Sequence, residues 1–169
     1  MMKKLLIAAV SVFALGCAPK QNAVGKNEVA LALQSECPTD GNCKIEVFKE
    51  TKLVVKQDEF GHNYYEKEYD PNKKVIKYSY SRKVKGDIQD AGYREEVVFE
   101  LDHLENQKYV DSDMQQTKML FGRFCFCKGQ TGNYKVSQGT LSIQDQKATL
   151  DFTVSEVPQI IKNITFVIK

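Results

Sequence analysis

Polar and apolar residues alternate at every second position in four separate stretches of this chain. In KVIKYSYSRKV, for example, Ile76, Tyr78 and Tyr80 fall on one side and Lys77 and Ser79 on the other. The same period recurs in YREEVVFELD, KATLDFTVSE and QIIKNITFVIK. A period of two is the signature of a strand with one face buried, and no sustained helical period competes with it after the N-terminal segment. The pattern predicts an all-β domain of antiparallel sheets, each with one wet face.

The stretch MLFGRFCFCK departs from this alternation because it is apolar on both faces. A strand of that kind is typical of the centre of a sheet that is covered on both sides. We therefore expect a central strand here, extending through Phe124 to Lys128, with Gly122 as a bulge or a point of close approach.

Turn signals separate the predicted strands at intervals typical of a sandwich or barrel. Asp70-Pro71-Asn72-Lys73 has the composition of a type I turn. The polar segment 105–118 lacks alternation and is expected to be a long loop or a short helix. The overall expectation is a disulfide-stapled antiparallel β-sandwich or partly closed barrel of about nine strands.

The N-terminus has the layout of an export signal. Lys3 and Lys4 precede an uncharged apolar run, LLIAAVSVFAL, and Gly16-Cys17 follows at once. The run is too short to span a bilayer as a mature helix. The sequence Ala14-Leu15-Gly16-Cys17 resembles the lipobox of bacterial lipoprotein precursors, a resemblance confined to residues 1–17. It implies removal of residues 1–16 and lipidation of Cys17; ordinary secretion with a spare Cys17 is the alternative.

Residues 17–27 then read as the lipidated cysteine and a flexible tether, and residues 28–169 as a single all-β domain. Two or more acyl chains suffice for stable membrane anchoring. Residue Ala18 follows the cysteine where enterobacterial lipoproteins retained at the inner membrane have Asp. The expected location is therefore the cell envelope, with the outer membrane favoured and the domain facing the periplasm.

Four cysteines remain once Cys17 is set aside for lipid: Cys37, Cys43, Cys125 and Cys127. An even number in an exported domain predicts a disulfide framework. Cysteines two apart on one strand lie at the far limit of disulfide geometry. We therefore expect cross-pairing, Cys37–Cys127 with Cys43–Cys125 if the segments are antiparallel. Local pairing within each segment is the alternative.

Two functional readings of the same cysteines compete with a structural one. The spacings C-x5-C and C-x-C do not match common zinc sites. A redox-active pair would usually be C-x-x-C at a helix start, which this chain does not have. The sequence accordingly predicts no metal site and no cofactor.

Charge and motif content exclude several classes of function. Lys plus Arg number 24 against 22 Asp plus Glu, and loss of Lys3 and Lys4 leaves 22 against 22. This balance argues against a nucleic-acid-binding protein. The two histidines, His62 and His103, have no nucleophile beside them in sequence. The acidic pairs Asp111 with Asp113 and Asp87 with Asp90 lack the spacing of a calcium loop. We therefore expect no enzymatic activity.

Tyrosine placement carries the strongest functional hint. Most tyrosines fall between residues 64 and 93, beside Arg82 and Lys83, and tyrosine is common both in half-buried strands and at recognition surfaces. One hypothesis is a binding or structural module that contacts an envelope protein or a glycan. The alternative is a carrier of a small apolar ligand in a barrel cavity. The residues expected on the partner surface are Tyr64, Tyr78, Tyr80, Arg82 and Lys83.

Overall fold

The computed structural model describes residues 29–84 and 92–169. This part of the chain contains ten β-strands and one short 3-10 helix, Asp111–Thr117. No helix in these two ranges has the length and apolar character needed to cross a membrane. The strands are β1 Leu31–Leu33, β2 Gly41–Gln57, β3 Asn63–Arg82, β4 Arg94–Leu101, β5 Gln107–Val110, β6 Leu120–Phe124, β7 Gly132–Lys135, β8 Gly139–Gln144, β9 Lys147–Phe152 and β10 Asn163–Ile168.

The strands form two antiparallel five-stranded sheets, which confirms the predicted all-β sandwich. The first sheet has the order β1-β10-β9-β8-β5 and the second has the order β2-β3-β4-β6-β7. In the second sheet β3 also pairs with β7, at Asn63 and Asn133. Strands β3, β4, β6 and β7 therefore form a ring that is closed by this one contact.

The space between the sheets is filled by side chains from their inner faces. Large buried rings and aliphatic groups from both sheets form one core, and Phe121 of β6 packs against Phe152 of β9 with ring centroids 5.8 Å apart. Gly41 lies against the Tyr80 ring, since a Cβ at this position would fall 2.1 Å from a ring carbon. The largest fully buried side chains of this core are Tyr80, Phe99, Phe121, Phe166, Ile76, Leu101, Met114, Met119, Leu141 and Ile143.

The second sheet is covered on its outer face by its own hairpin, which the alternation did not predict. Strands β2 and β3 pair over almost their whole length, but the register shifts between Lys49 and Thr51, where Glu50 has a φ of 52°. Beyond that shift, residues 51–69 form an arm that places Leu53 on the outer face of the sheet. There Leu53 joins a second buried cluster with Val75, Val98 and Leu120.

Residues Asp70 to Lys73 form a bend at the base of this arm, and strand β3 continues through it. The Asp70 carboxylate accepts a hydrogen bond from the Asn72 backbone N–H at 3.0 Å, as its turn composition suggests. Strand pairing nevertheless continues on both sides of the bend, at Tyr69 and at Lys74. The predicted turn is thus an irregularity within the single long strand β3.

The arm also shields the outer face of β4 from solvent, although we predicted that this face would be exposed to water. Glu96 and Glu100 are both buried. Glu100 accepts a hydrogen bond from the Leu53 backbone N–H at 2.6 Å and pairs with Lys118 at 2.8 Å. Lys118 in turn donates to the Leu53 carbonyl at 2.8 Å. Glu100 and Lys118 therefore satisfy both backbone groups of Leu53, where the arm crosses the sheet.

The expected doubly covered strand is confirmed in β6, but it is shorter than predicted. Leu120 faces the outer cluster and Phe121 faces the core between the sheets. The strand ends at Phe124, and the chain then turns through residues 125–129. The predicted loop or helix at 105–118 contains strand β5 as well as the 3-10 helix.

The disulfides are local, so the predicted cross-pairing is wrong. Cys37 pairs with Cys43 and Cys125 pairs with Cys127, with Cα–Cα distances of 5.7 and 5.2 Å. The prediction assumed that Phe124 to Lys128 is extended. Because the strand stops at Phe124, the two neighbouring cysteines approach within the usual range for a disulfide.

Candidate binding surface

A cleft of about 540 Å³ opens at one end of the second sheet, where β3 and β6 end and β4 begins. We call it the arginine–aromatic cleft. Its walls combine guanidinium groups with aromatic rings, which are the side chains enriched at protein interfaces. Its lining residues are Ser81, Arg82, Gly92, Tyr93, Arg94, Phe124, Cys125 and Phe126.

The guanidinium groups of this cleft lie over its rings. Arg82 is centred 4.8 Å from the Tyr93 ring, and Arg94 is 4.5 Å from the Phe124 ring. The buried Arg123 approaches the Tyr93 ring at 5.4 Å. Each arrangement lies within the range of a cation–π contact. The cleft therefore presents guanidinium groups and aromatic rings in contact with one another.

A series of hydrogen bonds between partly or fully buried groups holds the Tyr93 side chain in position. Arg123 donates to the Tyr93 hydroxyl at 3.3 Å, and that hydroxyl donates to the Glu95 carboxylate. Glu95 also accepts the backbone N–H groups of Ile160 and Ile161, at 2.8 and 2.7 Å. Burial, followed by the hydrogen bond to Glu95, raises the pKa of the Tyr93 hydroxyl. This hydrogen-bond series thereby connects the cleft to the loop that precedes β10.

Asp40 forms an ion pair with the cleft residue Arg82 and a hydrogen bond with Tyr80 of the core. Its carboxylate accepts the Tyr80 hydroxyl at 2.8 Å and the Arg82 Nε at 3.0 Å. The Tyr80 hydrogen bond, with the charge of Arg82, lowers the pKa of Asp40. Burial raises the pKa of the Tyr80 hydroxyl, and its hydrogen bond to Asp40 adds to that shift. At neutral pH Asp40 is therefore ionised and Tyr80 is a protonated phenol; neither residue lines the cleft itself.

Phe126 projects from the rim of the cleft between two disulfide-bonded cysteines. Its side chain is 93% exposed, which makes it the most exposed large apolar residue in the described part of the chain. A second groove of about 500 Å³ shares Cys125 and Phe126 with the cleft, and its other lining residues are Cys127, Lys128, Gly129 and Thr131. The Phe126 ring and the two grooves that it borders together form an apolar surface on which a partner could pack.

The residues predicted for a partner surface lie in different environments. Arg82 lines the cleft, and Lys83 follows it on the exposed surface. Tyr78 and Tyr80 belong to the core instead, with exposed fractions of 2% and 0%, so the expectation of a surface role for them is wrong. Burial raises the pKa of the Tyr78 hydroxyl to about 12. These rings are buried because β3 turns this face toward the other sheet.

The remaining sequence candidates lie elsewhere. Tyr64 is partly exposed on the arm, and Cys17 lies outside the described residues. His62 sits in the exposed loop of the β2–β3 hairpin, 3.2 Å from the Asp58 carboxylate, and His103 follows β4. Neither histidine lines the arginine–aromatic cleft.

The acidic pairs are engaged in local contacts where the structure describes them. Asp111 accepts the Gly139 backbone N–H at 2.9 Å, and Asp113 accepts an amide hydrogen from Gln116 at 3.2 Å. Asp87 and Asp90 lie outside the described residues. Within residues 29–84 and 92–169, no group of three or more His, Cys, Asp or Glu side chains converges as metal ligands would.

Of the eight lining residues, the sequence placed only Arg82 on the expected partner surface. Tyr93 belongs to the tyrosine group but was not among the residues expected on that surface, and neither were Arg94, Phe124 and Phe126. Tyr93 and Arg94 lie in one of the alternating stretches, whereas Phe124 and Phe126 lie in the stretch expected to form the doubly covered central strand. The C-x-C motif held a usable signal, because a local disulfide forces the intervening residue out of a strand. Comparison of the chain with protein-family models, with curated proteins and with solved structures finds no match in any of the three.

Proposed function

We propose that this protein is a lipid-anchored envelope protein whose β-domain binds a partner protein through the arginine–aromatic cleft. The observation that carries the proposal is the exposed Phe126 ring beside Arg82 and Arg94 at one edge of the second sheet. Aromatic and arginine side chains dominate the binding energy of protein interfaces. The lipobox-like sequence ending at Cys17 supports the anchor and the periplasmic location.

The chemistry of the cleft suits a partner segment with one apolar and one acidic side chain. Arg82 and Arg94 each keep nearly half of their side chain exposed, although each already contacts a carboxylate. A partner carboxylate can therefore reach either guanidinium, while an apolar group packs on Phe126.

The filled interior favours surface binding over the carrier alternative. A carrier needs an open cavity lined by the apolar inner faces of its strands. Here those faces meet each other, with Phe99, Phe121 and Phe166 fully buried between the sheets. A ligand in that position would have to displace packed side chains.

The anchor is tested by labelling the full-length protein with a radioactive fatty acid in bacterial cells. We expect the wild-type protein to take up label and to partition into detergent, and Cys17→Ser to do neither. Cys125→Ser serves as the control, because it removes a cysteine from the domain and leaves Cys17 in place. Equal labelling of wild type and Cys17→Ser would refute lipidation.

The binding surface is tested by quantitative capture from solubilised envelopes of the native host. We expect Phe126→Ala to lower the binding of the captured protein at least tenfold, which corresponds to about 1.4 kcal/mol. Phe60→Ala is the matched control, since Phe60 is also highly exposed but lies in the hairpin loop of the arm.

The affinity of each variant is then measured with the purified captured protein. Equal loss in Phe126→Ala and Phe60→Ala would show that general surface hydrophobicity drives the capture. Unchanged affinity in Phe126→Ala and in Arg94→Ala would refute the cleft as the binding surface.

A further inference from the structure

The two disulfides of this domain occupy very different positions. Cys125 and Cys127 lie in the turn that follows β6, outside every strand, and both line the groove beside Phe126. Their bond closes across a single residue. Closing so short a loop removes little freedom from the unfolded chain, so the fold gains little from this bond. By linkage, the fold in turn does little to keep the bond oxidised.

Cys37–Cys43 provides the contrasting case within the same chain. Both cysteines pack against the main core, and the Cys43 sulfur accepts the Tyr78 hydroxyl at 2.9 Å. The bond also closes a longer loop, with a sequence separation of 6. Its reduction would loosen the start of β2 against the core. It therefore has the environment of a structural disulfide.

The surroundings of Cys125 also offer contacts to an incoming substrate. Cys125 shares its cleft with the guanidinium groups of Arg82 and Arg94. These arginines pair with Asp40 and Glu96 but keep 45% and 49% of their side chains exposed, so each can also contact a carboxylate of an incoming substrate. Phe126 offers an exposed apolar ring against which an extended substrate segment can pack.

We propose that Cys125–Cys127 is a redox-active disulfide that exchanges with cysteine pairs of exported proteins, a role that goes beyond partner binding. A substrate thiolate attacks one sulfur of the pair, forms a mixed disulfide and releases the other cysteine as a thiolate. The second substrate thiolate then attacks the mixed disulfide. The substrate loses two electrons and gains a disulfide, while Cys125 and Cys127 become the dithiol. A disulfide of the oxidising compartment reoxidises them by the reverse exchange.

The first experiment compares the two disulfides in one protein. The purified full-length protein is equilibrated in buffers of reduced and oxidised dithiothreitol, and each cysteine is quantified by differential alkylation and mass spectrometry. We expect the equilibrium constant for reduction of Cys125–Cys127 to be at least tenfold larger than that of Cys37–Cys43, a difference of about 30 mV. Circular dichroism should show the strands intact once only the first pair is reduced.

The second experiment measures transfer to a substrate, using a reduced two-cysteine peptide as the probe. We expect the wild type and the double variant Cys37→Ser/Cys43→Ser to oxidise one equivalent of peptide, and Cys125→Ser/Cys127→Ser to oxidise none at matched times. Reduction of both pairs together, or of Cys37–Cys43 first, would overturn the proposal even if the double variants fail to fold. So would peptide oxidation that persists without Cys125 and Cys127. These readouts do not depend on the binding affinity of the captured partner.

Discussion

Glu95→Ala is expected to lower the free energy of unfolding by about 3 to 5 kcal/mol. Glu95 is buried and is the acceptor for the backbone N–H groups of Ile160 and Ile161 and for the Tyr93 hydroxyl. Alanine would leave these donors without a partner, and each buried unsatisfied donor costs about 1 to 3 kcal/mol. It would also remove the carboxylate from the hydrogen-bond series that includes Arg123.

Urea denaturation of the purified domain measures this loss. Glu95→Gln retains one carbonyl acceptor and should fall between wild type and alanine. Glu46→Ala is the matched control, because Glu46 pairs with Lys44 on the surface, and it should change the stability by less than about 1 kcal/mol. A Glu95→Ala protein as stable as the control would show that the loop before β10 does not depend on this carboxylate.

Leu53→Ala is expected to cost about 2 to 5 kcal/mol, the usual range for a fully buried leucine. Leu53 is the residue through which the arm joins the second cluster, with Val75, Val98 and Leu120. The loss should fall toward the upper part of this range because Glu100 and Lys118 bind the Leu53 backbone. Those contacts hold the arm in place and limit the collapse of the cavity.

Urea denaturation and amide hydrogen exchange together test the arm. We expect a lower transition midpoint and faster exchange at residues 51–57 in Leu53→Ala. Val110→Ala, which shortens an exposed aliphatic side chain, should leave both unchanged within about 0.5 kcal/mol. If Leu53→Ala matched this control, the arm would not be part of the cooperative fold.

The disulfide pairing was mispredicted because the periodic pattern did not show where β6 ends. Cys125 and Cys127 would be poorly placed to pair on a strand, and the residues around them are apolar enough for one. The strand nevertheless ends at Phe124, where Arg123 is fixed by hydrogen bonds to Gln130 at 3.1 and 2.9 Å. Those hydrogen bonds close a turn, and the spacing of apolar residues along the sequence gives no indication of them.

The arm shows the same limit on a larger scale. Glu96 and Glu100 alternate with apolar residues, and alternation alone assigns them to a wet face. Their burial depends on residues 51–69 folding over β4 and on Lys77, Arg94 and Lys118 supplying positive charge. From sequence alone a charged residue is therefore assigned to the surface, because the partners that offset its charge are not known.

The sequence by itself determined the strand character of the domain, the double covering of β6 and the involvement of the domain cysteines in disulfides. These follow from periodicity, composition and cysteine number, which act along the chain. Only the tertiary structure decided which cysteines pair, which tyrosines are buried and which rings meet the arginines at the cleft. The cysteine pairing depends on where β6 ends, and hydrogen bonds from Arg123 to Gln130 hold the turn that follows. The burial of the tyrosines and the position of the cleft rings depend on contacts between segments far apart in sequence, such as Glu95 with Ile161 and Leu53 with Glu100.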